Sequence, residues 1–570
     1  MSTAHPETSS EFTPHSAQSI ANAPYIERQK MTAQNWANES PNRPSVMALY
    51  WIKYLCVLIP IWAFWCTFNE GYTSFTDFSN WAMTTEAFKK AMVWSMCWEL
   101  FGFGCGWGPM NARFEKWYGG YRHFARTGTI KLPLFPGVPL IGGNTRNWLD
   151  VSLYSLNQGL LLFALTRPEM TPEHLLPCFL LVFVNGILDK TLYLVARSEH
   201  YLVVMGAIIF AFPNETFIAG AKLTWSFIWI WAAVSKWNSH FPSVIMVMMN
   251  NGPFFPKALK KNLFANFPED ITPSRFAHFM AAFGHLSELI IPFILLYATQ
   301  TGNFWVLLGG CILFTGFHSF IGLNNPAGMP VEWNILMIYG GWNLFFFHPD
   351  VSIFEMTQYP VVMGVMLFSL VAVPLFGNFV PSRLSFLLSM RYYAGNWAYN
   401  VWLFKKDSNY REKLAKLKKP STTVLEQLED IIEDPDELAA GKAAMGVNRQ
   451  LHLQGRPLLE ALPAAVGSHI DDYEWQEGET FGGTVLGWNF GDGHLNGNEL
   501  LEKMQPICGF EKGELRVISV ESQPLFDATM HWRVYCPVEG LIAEGVTNLE
   551  DYKLHQPWPE GETAAALSRG

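Results

Sequence analysis

Charge is scarce in this sequence. Asp, Glu, Lys and Arg make up 15% of its 570 residues, against 50% for the hydrophobic types. Soluble domains carry about a quarter charged residues, so this chain is not expected to be soluble throughout. The charge present is acidic in balance, −10 at pH 7 with His neutral, and no basic surface points to nucleic acid. Cysteine is sparse too, eight residues with none in a C-x-x-C pair. That argues against a disulfide framework or a zinc ribbon and for reduced, packed thiols. There is no Gly-rich phosphate loop and no repeat of 20 to 50 residues. "GWNFGDGHLNGNE", around Asp492, has too few carboxylates for a calcium loop and reads as turn chemistry. No basic stretch followed by an apolar core opens the chain, so residues 1–46 read as a flexible polar cytoplasmic arm, not a secretory signal.

What is abundant is apolar and aromatic. Aromatic residues make up 15%, with 23 Trp. Roughly ten runs approach the 20 residues needed to span a bilayer: 47–68, 87–106, 151–165, 174–195, 201–212, 217–236, 275–298, 303–323, 332–346 and 357–376. Basic residues follow the second run (Arg113, Lys116, Arg122), the sixth (Lys257, Lys260, Lys261) and the tenth (Arg383, Arg391). Acidic ones, such as Asp350 and Glu355, mark the alternate connections. By the positive-inside rule both termini are cytoplasmic, in a cell inner membrane. The expected fold is mostly α, a transmembrane bundle of about ten helices over 47–391. A charged helical linker (392–460) and a small soluble α+β domain (461–570) follow, the latter from the Gly-punctuated alternation of "GELRVISVES" and "MHWRVYC". A protein partner could dock there, but no residue names one.

Against that apolar background the polar residues stand out, because an ionisable group in hydrocarbon costs several kcal/mol and usually has a task. Lys236 closes "WIWAAVSK", with Asn238 just beyond it. Asp189 and Lys190 are helix neighbours about 100° apart, so they cannot pair with each other. His278, His285 and Glu288, seven and three apart, share one helix face, and no cation is near Glu288 in sequence. His200, His318, Glu332 and Asn334 complete the set. The bland alternatives are real: a lone intramembrane His is usually an interhelical hydrogen-bonding group, and Lys236 or Lys190 near a helix end can snorkel.

"GILDKTLYLVARSEHYLVV" followed by "FIWIWAAVSKWNSHFP" resembles the core of the vitamin K-dependent γ-glutamyl carboxylases and their bacterial relatives, the horizontally transferred transmembrane (HTTM) proteins. Leu188, Asp189, Lys190 and Thr191 match one family element, and His200 falls on a family histidine, though Glu199 replaces the Asn before it. Lys236 falls on the family's lysine base, Glu288 on a carboxylate, and His318, in "GFHSFIGLNNPAGM", on a later histidine. The likeness spans about 182–347 and does not reach the C-terminal domain. It implies an integral membrane enzyme, a lyase or oxygenase type, in which Lys236 takes a proton from a reduced isoprenoid quinone while His200 and His318 hydrogen-bond its oxygens. Asp189, Lys190, Glu288, Asn238 and His285, the last without a counterpart in that family, are expected to line the cofactor pocket, with no metal. In a bacterium the quinone would be menaquinol-like, an inference from lipid availability.

Two other classes fit the same residues. A metal-dependent oxidase would gather His200, His278, His285, Glu288 and His318 around an ion, yet the H-x-x-x-H spacing of membrane desaturases is absent. A non-enzymatic lipid or quinone carrier would use the polar set only to line a headgroup pocket.

Overall fold

In a computed structural model, described for residues 12–40, 44–104, 120–211, 216–324, 331–391, 395–419, 421–488 and 498–568, the chain is mostly helical. Arg113, Lys116, Cys105, the turn around Asp492 and the Gly328–Met329 turn lie outside the described residues. The N-terminal segment is not a flexible arm over its described part. Ser16 caps α1 (Ala17–Asn22), and α2 (Tyr25–Asn38) follows with Tyr25, Ala33, Trp36 and Ala37 buried on one side. Helical spacing of those few apolar residues, in a polar stretch, was the signal that composition masked.

The bundle then runs through α3 (Trp51–Cys66), α4 (Thr85–Leu100), α5 (Trp148–Leu165), α6 (Pro172–Leu188), α7 (Ser198–Phe210), α8 (Thr216–Val234), α9 (Phe241–Asn251), α10 (Arg275–Thr301), α11 (Phe304–Asn324), α12 (Val331–Gly341) and α13 (Pro360–Phe379). Among the described residues, four of these, α8, α10, α11 and α13, are long and apolar enough to cross a membrane. The expected count of about ten is therefore not met by length and composition. The physical reason is chiefly length: α3, α6 and α7 are apolar helices of fewer than 18 residues, and α4, with 16, carries three charged side chains in its buried stretch. Every residue of α4 from Ala87 to Leu100 is buried, including Lys89, Lys90 and Glu99, and α6 stops short at Leu188 where Asp189 turns extended. The four long helices divide by environment as well. In α8 83% of the apolar window is buried, against 28%, 33% and 22% in α10, α11 and α13. α8 is thus the central helix, and the other three turn apolar faces outward.

Beyond the bundle, α14 (Pro435–Leu451), α15 (Leu458–Val466) and α16 (Gly478–Leu486) accompany an antiparallel five-stranded sheet. A short hairpin, β1 (Phe264–Asn266) and β2 (Asp270–Pro273), precedes it in the chain. The sheet has the order β4-β3-β5-β6-β7, built from β3 (Tyr399–Lys405), β4 (Tyr473–Glu477), β5 (Leu515–Val520), β6 (Thr529–Cys536) and β7 (Gly540–Asn548). Alternation decides its two faces. Trp402, Phe404, Leu515 and Val517 pack with Phe481 and Val485 of α16, whereas Val401, Leu403, Ile518 and Val520 join the large core with Leu458 and Leu462 of α15. The inner strand β3 falls within 392–460, the stretch read as a helical linker; "YNVWLF" is a six-residue run with Asn400 inside it and charge only beyond its C-terminal end, too short to stand out.

The sheet domain docks at the C-terminal end of α8, where His240 Nδ1 lies 2.9 Å from Gln523 Oε1 and Ser239 Oγ donates to Glu550 at 2.7 Å. At the other end of α8, Lys222 donates to the carbonyls of His348 and Val351, at 2.8 and 2.5 Å. The loop carrying Asp350 is therefore opposite the sheet domain. α2 lies against α14, with Gln450 Nε2 donating to the Tyr25 hydroxyl at 3.3 Å, so the two terminal regions share one side.

Candidate functional site

α8 ends at Val234, two residues before the run of apolar residues suggested, because the chain turns at Ser235. The amide of Lys236 donates to the Ala233 carbonyl at 3.0 Å, and Asn238 Nδ2 closes the turn on the Ser235 carbonyl at 2.6 Å. Lys236 thus stands just past a helix end, where snorkelling is usual. It does not snorkel. Its ammonium forms an ion pair with Glu288 of α10, and both side chains are about 95% buried, at 4% and 5% exposure. The rings of Phe241 and Phe317 lie beside it, with centroids 5.4 and 5.6 Å from Nζ. The carboxylate that has no cation near it in sequence finds one 52 residues away. His285, one turn before Glu288, accepts from Trp237 Nε1, so two successive residues of the turn engage two residues of one α10 face. His278, further along that face, is exposed.

His318 of α11 sits between Trp229 of α8 and Asn334 of α12. Its Nε2 lies 2.8 Å from the indole Nε1 of Trp229, and its Nδ1 lies 3.0 Å from Asn334 Oδ1. An indole N–H can only donate, so Nε2 is the acceptor and Nδ1 carries the proton given to Asn334. Both ring nitrogens are engaged by protein. The resemblance gave His318 the hydroquinone oxygens instead. Asn238 keeps a buried carbonyl oxygen, Oδ1, with no hydrogen-bond partner among the described residues.

The remaining sequence candidates lie elsewhere. Asp189 caps the helix Lys190–Val195, accepting from the Thr191 amide at 3.0 Å and the Leu132 amide at 3.3 Å, and it pairs with Arg146. Lys190 reaches Glu499 beside the sheet domain at 2.7 Å. Asp189 is thus tied within the bundle, while Lys190 reaches toward the sheet domain. His200 belongs to a second buried cluster, with its Nδ1 3.4 Å from Glu199 Oε1. Arg197 pairs with Glu199 at 3.1 Å and with Glu99 at 3.7 Å, and its guanidinium lies 3.7 Å from the Trp333 ring centroid. No hydrogen bond or ion pair joins this cluster to Lys236 among the described residues. Glu332 is buried with neither carboxylate oxygen hydrogen-bonded among the described residues. Glu99 and Arg197 were missed from sequence. Glu99, alone among apolar residues in "VWSMCWELF", carried the same signal that singled out Lys236.

Outside the bundle, Arg449 of α14 pairs with Glu477 at 2.5 Å and Glu479 at 3.1 Å. Burial, reinforced by the neighbouring Glu477 carboxylate, pushes the Glu479 carboxyl up to about 7 against the pull of Arg449. Among the described residues, no group of three His, Cys, Asp or Glu side chains could hold a metal ion. The five residues of the oxidase alternative are divided between two clusters and an exposed helix face.

Long apolar helices, lipid-type outer faces and charges paired inside define a polytopic membrane protein with a sheet domain at one end. The chain belongs to the family described as transmembrane protein of unknown function (DUF3556), whose model matches residues 8–567. No curated protein and no solved structure matches it. The family description lends no support to the carboxylase or HTTM likeness, which concerns the middle third alone.

Proposed function

We propose that this protein binds a hydroxylated membrane lipid of the isoprenoid hydroquinone class beside Lys236 and takes a proton from it. The observation that carries the reading is the buried Lys236–Glu288 pair. A lysine and a carboxylate together hold one proton fewer than they can. If the ammonium proton passes to Glu288, the Nζ lone pair is free to accept a hydroxyl proton. The pair then bears one positive charge next to the new oxyanion, in surroundings where such attraction is strong. The carboxylase-like placement of Lys236 supports the same role, and it would make oxygen or carbon dioxide the next reactant. The saturated bonding of His318 favours a second reading, a lipid carrier with no chemistry. Mass spectrometry of lipids co-extracted with the full chain tests both. A stoichiometric isoprenoid quinone or quinol is expected, and its loss in Lys236→Met while phospholipid is retained. Phospholipid alone, unchanged in the variant, would overturn the hydroquinone reading.

We also propose an inner-membrane orientation with the sheet domain in the cytoplasm. Lys257, Lys260, Lys261 and Arg391 flank that end, whereas Asp350 and Glu355 flank the other. Reporter fusions after Lys261 and Arg391 should read cytoplasm and one after Asp350 the opposite side; a non-cytoplasmic Arg391 fusion reverses the assignment.

A further inference from the structure

We propose that the loop between β5 and β6, residues 521–528, enters the bilayer interface, with Phe526, Trp237 and Phe379 as an aromatic anchor that fixes the sheet domain over the end of α8. Phe526 has φ +62° and is 71% exposed. A bulky residue in the left-handed region is a backbone outlier that persists only where its surroundings over-determine it. Here they do. The Leu525 amide donates to the Asn378 carbonyl at 2.8 Å. Gln523 and Asn396 bond reciprocally, amide to Oδ1 at 3.0 Å and Nδ2 to carbonyl at 2.8 Å. Gln523 Nε2 donates to the Asp527 carbonyl at 2.7 Å, and its Oε1 lies against His240. Two elements of the bundle and the sheet domain thus hold one residue rigidly in a costly conformation, and the result is a phenyl ring pointed outward.

The occupant follows from what that ring adjoins. It lies 6.1 Å from the Trp237 ring, stacked at 27°, and 6.4 Å from the Phe379 ring. Trp237 is three residues past α8, and Phe379 is the last residue of α13, the least buried of the four span candidates. Phe376, Phe379 and Val380 are themselves exposed, so the patch continues the outward apolar face of α13. Trp and Tyr concentrate where spans leave the hydrocarbon. Trp237 is such a ring, with its indole N–H given to His285, and Phe526 and Phe379 extend it with apolar surface. The same bilayer that covers α13 is the occupant this patch fits. The inference uses α13 as a span and is independent of any chemistry at Lys236.

The test uses the full, unaltered chain in phosphatidylcholine vesicles carrying a lipid photoprobe whose diazirine sits near the headgroup. Adducts mapped by peptide mass spectrometry are expected on 521–528 and on the end of α13. None are expected on Val538, which is exposed at the far end of the β6–β7 hairpin, about 24 Å from the loop at strand rise. Phe526→Glu should fold, judged by an unchanged circular dichroism spectrum, and lose at least four-fifths of the loop adducts. Labelled α13 with an unlabelled 521–528 segment, or equal labelling at Val538, would overturn the anchor; an unlabelled α13 would overturn it together with the span.

Discussion

Replacing Glu288 with leucine is expected to destabilise the folded protein by about 3–5 kcal/mol, the range for breaking a buried ion pair by deleting one partner. The ammonium of Lys236 would be left beside the rings of Phe241 and Phe317 with no carboxylate to hold it, and would have to stay charged there or give up its proton, each at a cost. Cation–π attraction of about 2 kcal/mol or somewhat more does not offset a desolvation penalty of several kcal/mol. The companion variant Lys236→Met should cost less. Either group left alone can become neutral, but neutral pH lies closer to the ordinary carboxyl pKa of about 4.3 than to the ordinary lysine pKa of about 10.4, so the carboxyl does so at lower cost. The double variant Lys236→Met/Glu288→Leu should recover most of the loss, since replacing both members with apolar groups of similar volume removes the penalty and the attraction together. Thermal unfolding of the four proteins in one detergent gives the double-mutant cycle, and the coupling term isolates the pair. A Glu288→Leu protein as stable as the parent would mean that the carboxylate is not needed to neutralise the lysine. This outcome concerns stability and stands apart from any lipid chemistry.

How far the site was legible in sequence follows from the same pair. Lys236, Glu288 and His318 each announce themselves as an expensive group in an apolar run, because the cost of burying polarity is a local property of composition. Their partners are not local. Glu288 meets Lys236 across 52 residues, and His318 meets Trp229 across 89, so spacing along one helix could not reveal either contact. Trp229 was invisible for another reason, since a tryptophan in an apolar helix looks like packing until its indole N–H is seen to fix a histidine tautomer. Elements fared by the same rule. Long lipid-type helices were read correctly where hydropathy alone decides, as in α10, α11 and α13. Hydropathy did not disclose that α4 stops at 16 residues, or that β3, a short run, is an inner strand because β4 and β5 flank it.

Lys236→Arg is expected to fold, to keep the pair with Glu288, and to lose about 10²–10⁴-fold in the rate of hydroquinone turnover, the usual span for removing a general base. Arginine offers the same charge on a long stem, and its guanidinium suits a carboxylate at least as well as an ammonium does. What it cannot do is release a proton, so no lone pair ever appears at that position. Structural and snorkelling roles therefore predict a working protein, and the base role predicts a folded, lipid-bound, inactive one. Binding should be measured alongside turnover, because an unchanged affinity with a lower rate localises the defect in the proton step. Lys236→Ala supplies the converse. Small primary amines added to that variant should restore part of the turnover, and the restored rate should rise with the basicity of the amine, as general-base catalysis requires. Rescue independent of amine basicity would indicate filled space alone. Full turnover in Lys236→Arg would assign proton acceptance to the Glu288 carboxylate itself, with position 236 supplying only the positive charge that holds it.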